Sequence, residues 1–352
     1  MTSLVRLRIG LLAILAATCC LAHAQMRDGS HDFDFNLGVW HTRIVRTVDP
    51  FAPAGRTVRM EGTVRVRPVW GGRAQLEEID ADGPPGHWQG LTLFVYNPRS
   101  GQWSQAFANS AAGAISSGTM IGSFIGGKAE LLAQDTIDGR AVIVRGAWSD
   151  ITPTSHRYVE SYSDDGGTTW RTAFTADLTK LTDAAAQTAS AAPREGGHEF
   201  DFDFGRWKTH TRRLLHPLTG SHEWVELDGV THVSKVWGGY ANLAEYKAQS
   251  ADGKSLELLS LRLYDPRQHQ WNLNFANPGT GTMGVPMAGA FANGRGDFYS
   301  YEEIDGRYVM VRFSIWPLSK DSARSEQAFS TDGGRTWEVN WTNEYMRVPE
   351  AT

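Results

Sequence analysis

Cysteine is nearly missing from this chain. It has 352 residues and two cysteines, Cys19 and Cys20, side by side near the N-terminus. The rest of the sequence therefore offers no disulfide, no thiolate nucleophile and no cysteine metal ligand. Histidine is present, 11 in all, but never as His-x-His or His-Glu-x-x-His. No metal site is expected, because its ligands would have to be gathered from distant segments. There is no Gly-x-Ser-x-Gly nucleophile elbow. No motif calls for a cofactor: Gly279-Thr280-Gly281-Thr282-Met283-Gly284 fits Gly-x-Gly-x-x-Gly, but no helix pattern follows it, so it reads as a flexible β-loop. A long amphipathic helix is also lacking. Excess positive charge is missing too: the formal net charge is −5. That mild acidity argues against nucleic acid and anionic membrane surfaces as partners. Nothing in the sequence signals an oligomeric state.

Long apolar runs are confined to one place, Ile9 to Leu21. This run is too short to span a bilayer easily. Arg6 and Arg8 precede it, and Ala22-His23-Ala24 follows as a small-x-small cleavage site. Residues 1–24 thus read as a secretory signal, with a mature chain starting at Gln25 and a periplasmic or secreted location. No membrane span is expected in the mature chain. Loss of the two signal arginines takes its charge to −7 (−5 − 2).

What the sequence does have is aromatics, glycines and a repeat. The 13 Trp and 37 Gly suit short strands joined by tight turns. His31-Asp32-Phe33-Asp34-Phe35 returns as His198-Glu199-Phe200-Asp201-Phe202, an offset of 167 (198 − 31). Trp70-Gly71-Gly72, Ile137-Asp138-Gly139-Arg140 and Ser163 to Trp170 return at the same offset, while Trp103 answers Trp271 at 168 (271 − 103). An offset that large means one whole domain was duplicated, since solenoid and propeller units repeat every ~20–50 residues. The boundaries follow: a first domain over 25–179, an Ala-rich linker over 180–196 and a second domain over 197–352. A complete duplication with a structureless linker predicts that each half folds alone.

Within a copy, apolar and polar residues alternate with period two, as in Trp271, Leu273 and Phe275. Asp138-Gly139 and Asp305-Gly306 are hairpin dipeptides of the kind type I′ turns favour. About ten strands per copy at such spacing predict an all-β fold. Closing each set into an up-and-down antiparallel barrel removes its edges.

Phe-Asp-Phe-x-x-Gly-x-Trp opens both copies and Ser-x-Asp-Gly-Gly-x-Thr-Trp closes them. The opening resembles the Gly-x-Trp first strand of the calycin, or lipocalin-like, barrels. Taken together, the two motifs are similar to an uncharacterised bacterial family of lipocalin-like β-barrel domains, here as a tandem pair. The resemblance implies that Trp40 and Trp207 are structural plugs at the closed ends. The closing motif also resembles the Asp-box of sialidase propellers, but two boxes so far apart do not make a propeller. Its chemistry is local: Asp165 and Asp332 bond turn amides.

Polar residues on apolar faces are the candidates for function. Ala74, Leu76 and Glu78 share a strand face, as do Ala241, Leu243 and Glu245. Asn109 follows Trp103 and Phe107, and Asn277 follows Phe275, on one face each. A carboxylate or amide inside a barrel is costly unless paired, so these four residues are read as polar feet of a pocket, against the alternative that Glu78 and Glu245 pair internally, for instance with Arg145 and Arg312. The second copy also has Asn340 and Trp341 where the first has Ala173 and Phe174, and it carries Tyr299, Tyr301, Glu302 and Glu303. Glu245, Asn277 and Trp341 are therefore expected around a site in the second barrel, with the first barrel more nearly filled. The expected function is binding of a small, mainly apolar molecule. The alternatives are an enzyme on an apolar substrate, with Glu245 or Asp297 as acid or base, and a non-catalytic scaffold.

Overall fold

A computed structural model describes residues 28–53, 55–116, 118–182 and 196–349. The signal segment, its cleavage site and most of the linker lie outside the described residues. The first half forms β1 (Gly38–Thr47), β2 (Thr57–Val69), β3 (Ala74–Gly83), β4 (Gly86–Asn97), β5 (Gln102–Asn109), β6 (Met120–Ile125), β7 (Lys128–Ile137), β8 (Arg140–Ser149), β9 (Ser155–Ser163) and β10 (Arg171–Lys180). The second forms β11 (Gly205–Leu214), β12 (Trp224–Val236), β13 (Ala241–Ser250), β14 (Ser255–Asp265), β15 (Gln270–Ala276), β16 (Met287–Ala292), β17 (Arg295–Ile304), β18 (Arg307–Ser319), β19 (Ser322–Ser330) and β20 (Glu338–Arg347). Every pairing is antiparallel between chain neighbours, and β1 pairs with both β2 and β10. The same closure joins β11 to β12 and β20. The result is two up-and-down barrels without open edges. The Asp-Gly hairpins take the positive φ they require: Asp138 and Gly139 stand at 50° and 78°.

One end of each barrel is sealed. Phe33 and Phe200 are fully buried at the 3-10 turns Asp34–Asn36 and Asp201–Asp203. Phe33 lies within 5.1 Å of the Trp103 and Trp148 rings. Trp40 and Trp207 are also fully buried, and each indole N–H donates to a carbonyl of its turn, Asn36 and Asp203, at 2.8 Å. A cation covers each indole, Lys180 at 5.1 Å and Arg347 at 4.1 Å from the ring centroid. The opposite end holds the β1–β2 and β9–β10 connections. There the Asp165 carboxylate accepts from the amides of Thr168 and Thr169 at 3.0 and 2.9 Å, and these bonds together with the Thr169 hydroxyl hold it down at about 2. Asp332 accepts from Arg335 and Thr336 in the same way.

The halves do not stand apart. One buried apolar cluster runs through both barrels, with Val69, Trp70, Leu76, Leu91 and Leu93 facing Val236, Trp237, Leu243, Leu259 and Leu261. The contact is reciprocal. Glu78 accepts from the Trp237 amide at 3.2 Å, and Glu245 accepts from the Trp70 amide. Ser104 donates to the Gly281 carbonyl at 2.7 Å, and Asn272 donates to the Gly113 carbonyl at 2.9 Å. Arg67 donates to Ser234, its own equivalent in the repeat, at 2.9 Å. That is the pattern of an isologous interface, with a pseudo-twofold axis passing between Arg67 and Ser234. The mouth-end loop of each barrel rests on the closed end of the other, so the mouths open in opposite directions. The Gly-x-Gly-x-x-Gly segment is one of these docked loops, not a free one.

Candidate functional site

Each barrel encloses a cavity, about 370 Å³ in the first and about 230 Å³ in the second. The expectation that the first is the more nearly filled is reversed. On β1's neighbour β10 and its counterpart β20 the first barrel has the smaller residues, Ala176 and Leu178 against Asn343 and Tyr345, and Phe174 against Trp341.

The first cavity has a mainly apolar lining with polar groups concentrated on one strand. Ile44, Met60, Ile79, Trp88, Phe107 and Met120 supply an apolar side from β1 to β6. Facing them is β9, whose alternate residues His156, Tyr158, Glu160 and Tyr162 all line the space. Period two puts this set on one face, so it forms a polar ladder from the floor to the mouth. At the bottom, His156 packs edge-on against Trp40 with centroids 4.5 Å apart. Burial, with help from the positive charge of Lys180, pushes its pKa down to about 4, and Nδ1 has no partner among the described residues. Higher up, Glu160 accepts from Tyr162 at 2.8 Å and from Tyr158 at 3.2 Å. Burial raises the Glu160 pKa despite these bonds, and it raises both phenols. Glu77 enters from β3, accepting from Thr92 at 2.8 Å and Asn36 at 3.3 Å, and burial raises its pKa as well. The Oε1 of Gln105 and the Oγ1 of Thr42, both on cavity-lining residues, also lack partners among the described residues. The cavity thus carries polar groups pushed toward their uncharged forms.

The sequence candidates are dispersed. Trp341 lines the second cavity, where its indole N–H donates to Asn343 at 2.9 Å. Asn109 lines the first, with its carboxamide accepting from the Ala112 amide at 3.0 Å. Glu78 and Glu245 share their faces with leucines as expected, but those faces are the outer ones. They are apolar because the other barrel covers them, and the carboxylates cap indole-bearing turns rather than pair with Arg145 or Arg312. Those arginines lie over Trp170 and Trp337. Asn277 is exposed and holds a turn, accepting from the Gly279 amide at 2.9 Å. Asp297 is tied to Arg295 at 3.0 Å and to Ser314, away from the lining, whereas Glu302 on the same strand lines the second cavity. Tyr299 and Tyr301 are exposed. The β9 ladder and Glu77 were missed. A usable signal was present: titratable or aromatic residues at 156, 158, 160 and 162, every second position of one strand.

No described protein family matches the chain, and no curated protein does. Among solved structures, an S-type phycobiliprotein lyase, CPES, from Guillardia theta is 12% identical over 45% of this chain and 96% of its own, with a TM-score of 0.32. EF1p2_mFAP2b bound to DFHBI is 10% identical over 44% of this chain and all of its own, with a TM-score of 0.26. A protein of unknown function from the DUF3598 family of Nostoc punctiforme PCC 73102 covers 92% of this chain and all of its own, at 9% identity and a TM-score of 0.26. At these levels the likenesses carry no argument about function.

Proposed function

We propose that this chain is an exported binding protein that holds a small, mainly apolar molecule in its first barrel. One observation carries the reading: a cavity of about 370 Å³ whose mainly apolar lining is interrupted by a few buried polar groups, most of them on β9. Cavities of roughly 300–1,000 Å³ with a few placed polar groups are the usual form of small-molecule sites. Burial disfavours charge on Glu77 and Glu160, and with it an anionic ligand, while His156 Nδ1, Gln105 Oε1 and Thr42 Oγ1, which have no partner among the described residues, suit a hydroxyl on the ligand. Export rests on Arg6, Arg8, the apolar stretch and the Ala22-His23-Ala24 site.

The test is titration with the neutral fluorescent probe N-phenyl-1-naphthylamine. Ala176→Phe puts a ring into the first cavity, and Ala244→Phe does the same in the second. The first substitution should weaken binding at least tenfold while the melt stays cooperative, and the second should leave the stronger phase intact. Binding that ignores Ala176→Phe would overturn the assignment.

A second reading is favoured by the two carboxyls, Glu77 and Glu160, whose pKa values burial raises within one cavity. Such groups are placed to act as general acids. Under that reading Glu160→Gln abolishes turnover of an apolar substrate but keeps probe binding. Mass spectrometry of an apolar extract incubated with each form checks it, and identical spectra would remove the catalytic reading.

A further inference from the structure

The second cavity has been rebuilt at equivalent positions rather than merely reduced. Its β19 wall has lost the titratable ladder: Ala323, Ser325, Gln327 and Phe329 stand where the first barrel has His156, Tyr158, Glu160 and Tyr162, and Ala244 replaces Glu77. In exchange, Tyr246 replaces Ile79, Asn343 replaces Ala176, Tyr345 replaces Leu178 and Arg262 replaces Phe94. The new polar groups are mostly spent on one another. Thr211 bonds Tyr246 and Asn343, each at 2.7 Å, and Ser325 bonds Asn343 and Tyr345, each at 2.9 Å.

Two neighbours on β14 are different. Ser260 and Arg262 share one strand face, line the cavity and are each only 5% exposed. The Ser260 hydroxyl has no hydrogen-bond partner among the described residues, nor does the Arg262 Nε. The guanidinium lies 4.6 Å from the Phe200 ring centroid and its Nη1 pairs with buried Asp203. That ion pair is neutral as a unit, so a ligand carboxylate would add an uncompensated buried charge. An uncharged acceptor adds none and satisfies idle donors. Trp341, Phe275 and Phe313 give the remaining lining an aromatic character.

We infer that the second barrel is a separate binding site for a compact, uncharged aromatic molecule bearing a carbonyl-type acceptor, which Ser260 and Arg262 recognise. The reading extends ligand binding from the first barrel to a second and chemically different site, and the experiment keeps the two apart.

In the full chain carrying Ala176→Phe, binding is compared by tryptophan fluorescence and calorimetry for 2-acetonaphthone, 2-ethylnaphthalene and 2-naphthoate. These share one ring system and differ in the acceptor and its charge. The ketone should bind at least tenfold more tightly than either of the others. Ser260→Ala should reduce that preference. The double change Asp203→Asn with Arg262→Phe copies the Asn36 and Phe94 pair of the first barrel, so it removes the ion pair without leaving one charge behind. It should fold and abolish the preference. Equal affinity for ketone and hydrocarbon, tighter binding of naphthoate, or a preference that survives the double change would overturn the inference. Binding by the first barrel is read separately in the Ala244→Phe background, so failure of one site does not pass for failure of the other.

Discussion

His156 is the residue whose environment departs most usefully from water. Its folded pKa of about 4 lies below the ordinary 6.5, so the native state resists protonating it. Its contribution to stability is complete above pH 6.5 and is lost as pH falls from there toward 4. The gap of about 2.5 pH units corresponds to about 3.5 kcal/mol at most, taking roughly 1.4 kcal/mol per pH unit. Glu77 and Glu160 have the opposite sign: their folded pKa values are raised, so they favour the native state at low pH and cost stability as pH rises beyond the ordinary carboxyl range. Urea unfolding at pH 7 and pH 4.5 should therefore show an acid-labile component that His156→Gln removes. An unchanged pH slope in that variant would mean that His156 is not held neutral by burial.

At the scale of the element, the loops between β5 and β6 and between β15 and β16 are shaped by the neighbouring barrel. Gly113 and Gly281 have φ of +58° and +60°. A Cβ on Gly113 would stand 2.2 Å from the Tyr264 carbonyl oxygen, and one on Gly281 would stand 2.3 Å from the Asn97 Cβ. Gly139 has φ of +78° and open space around it. Gly139→Ala should thus cost only the backbone term, about 1–2 kcal/mol. Gly113→Ala carries that same term plus displacement of a docked loop. Denaturant melts of both variants measure the difference, and equal losses would show that the loop gives way freely. The adjoining Trp70 and Trp237 sit at φ of 56° and 50°, a conformation that bulky side chains rarely take. Their amides are the groups capped by Glu245 and Glu78 across the interface. Strain of this kind persists where surrounding contacts over-determine it.

For the whole molecule, the shared cluster changes what separation of the halves should do. Cutting within the linker and isolating one barrel would expose Val69, Trp70, Leu76 and Leu91 together, or their equivalents in the second half. Because the interface is isologous, the first half carries a surface nearly complementary to itself. The fragment 25–182 should therefore sediment as a dimer, and mixing it with 196–352 should restore a one-to-one complex. A fragment that stays monomeric and melts as cooperatively as the intact chain would show that the cluster contributes little to either barrel.

The duplication, the strands and their closure were legible in the chain, because period two, Asp-Gly turns and a repeat near 167 residues are local or statistical signals that need no knowledge of neighbours. Trp40 and Trp207, expected as plugs from the family resemblance, are fully buried, and Asp165 and Asp332 accept from turn amides. The choice between Glu77 and Glu78 was not legible. On β3 the inner face carries Gln75 and Glu77 and the outer face carries Ala74 and Leu76, and only the second barrel packed against β3 makes its outer face look like an inner one. The relative size of the cavities also escaped the sequence. Volume depends on which large side chains converge from β1, β9 and β10 at one height in the barrel, and that convergence is set by strand register. Strand period could place residues on a common face; the packing of barrel against barrel decided which face was the inside.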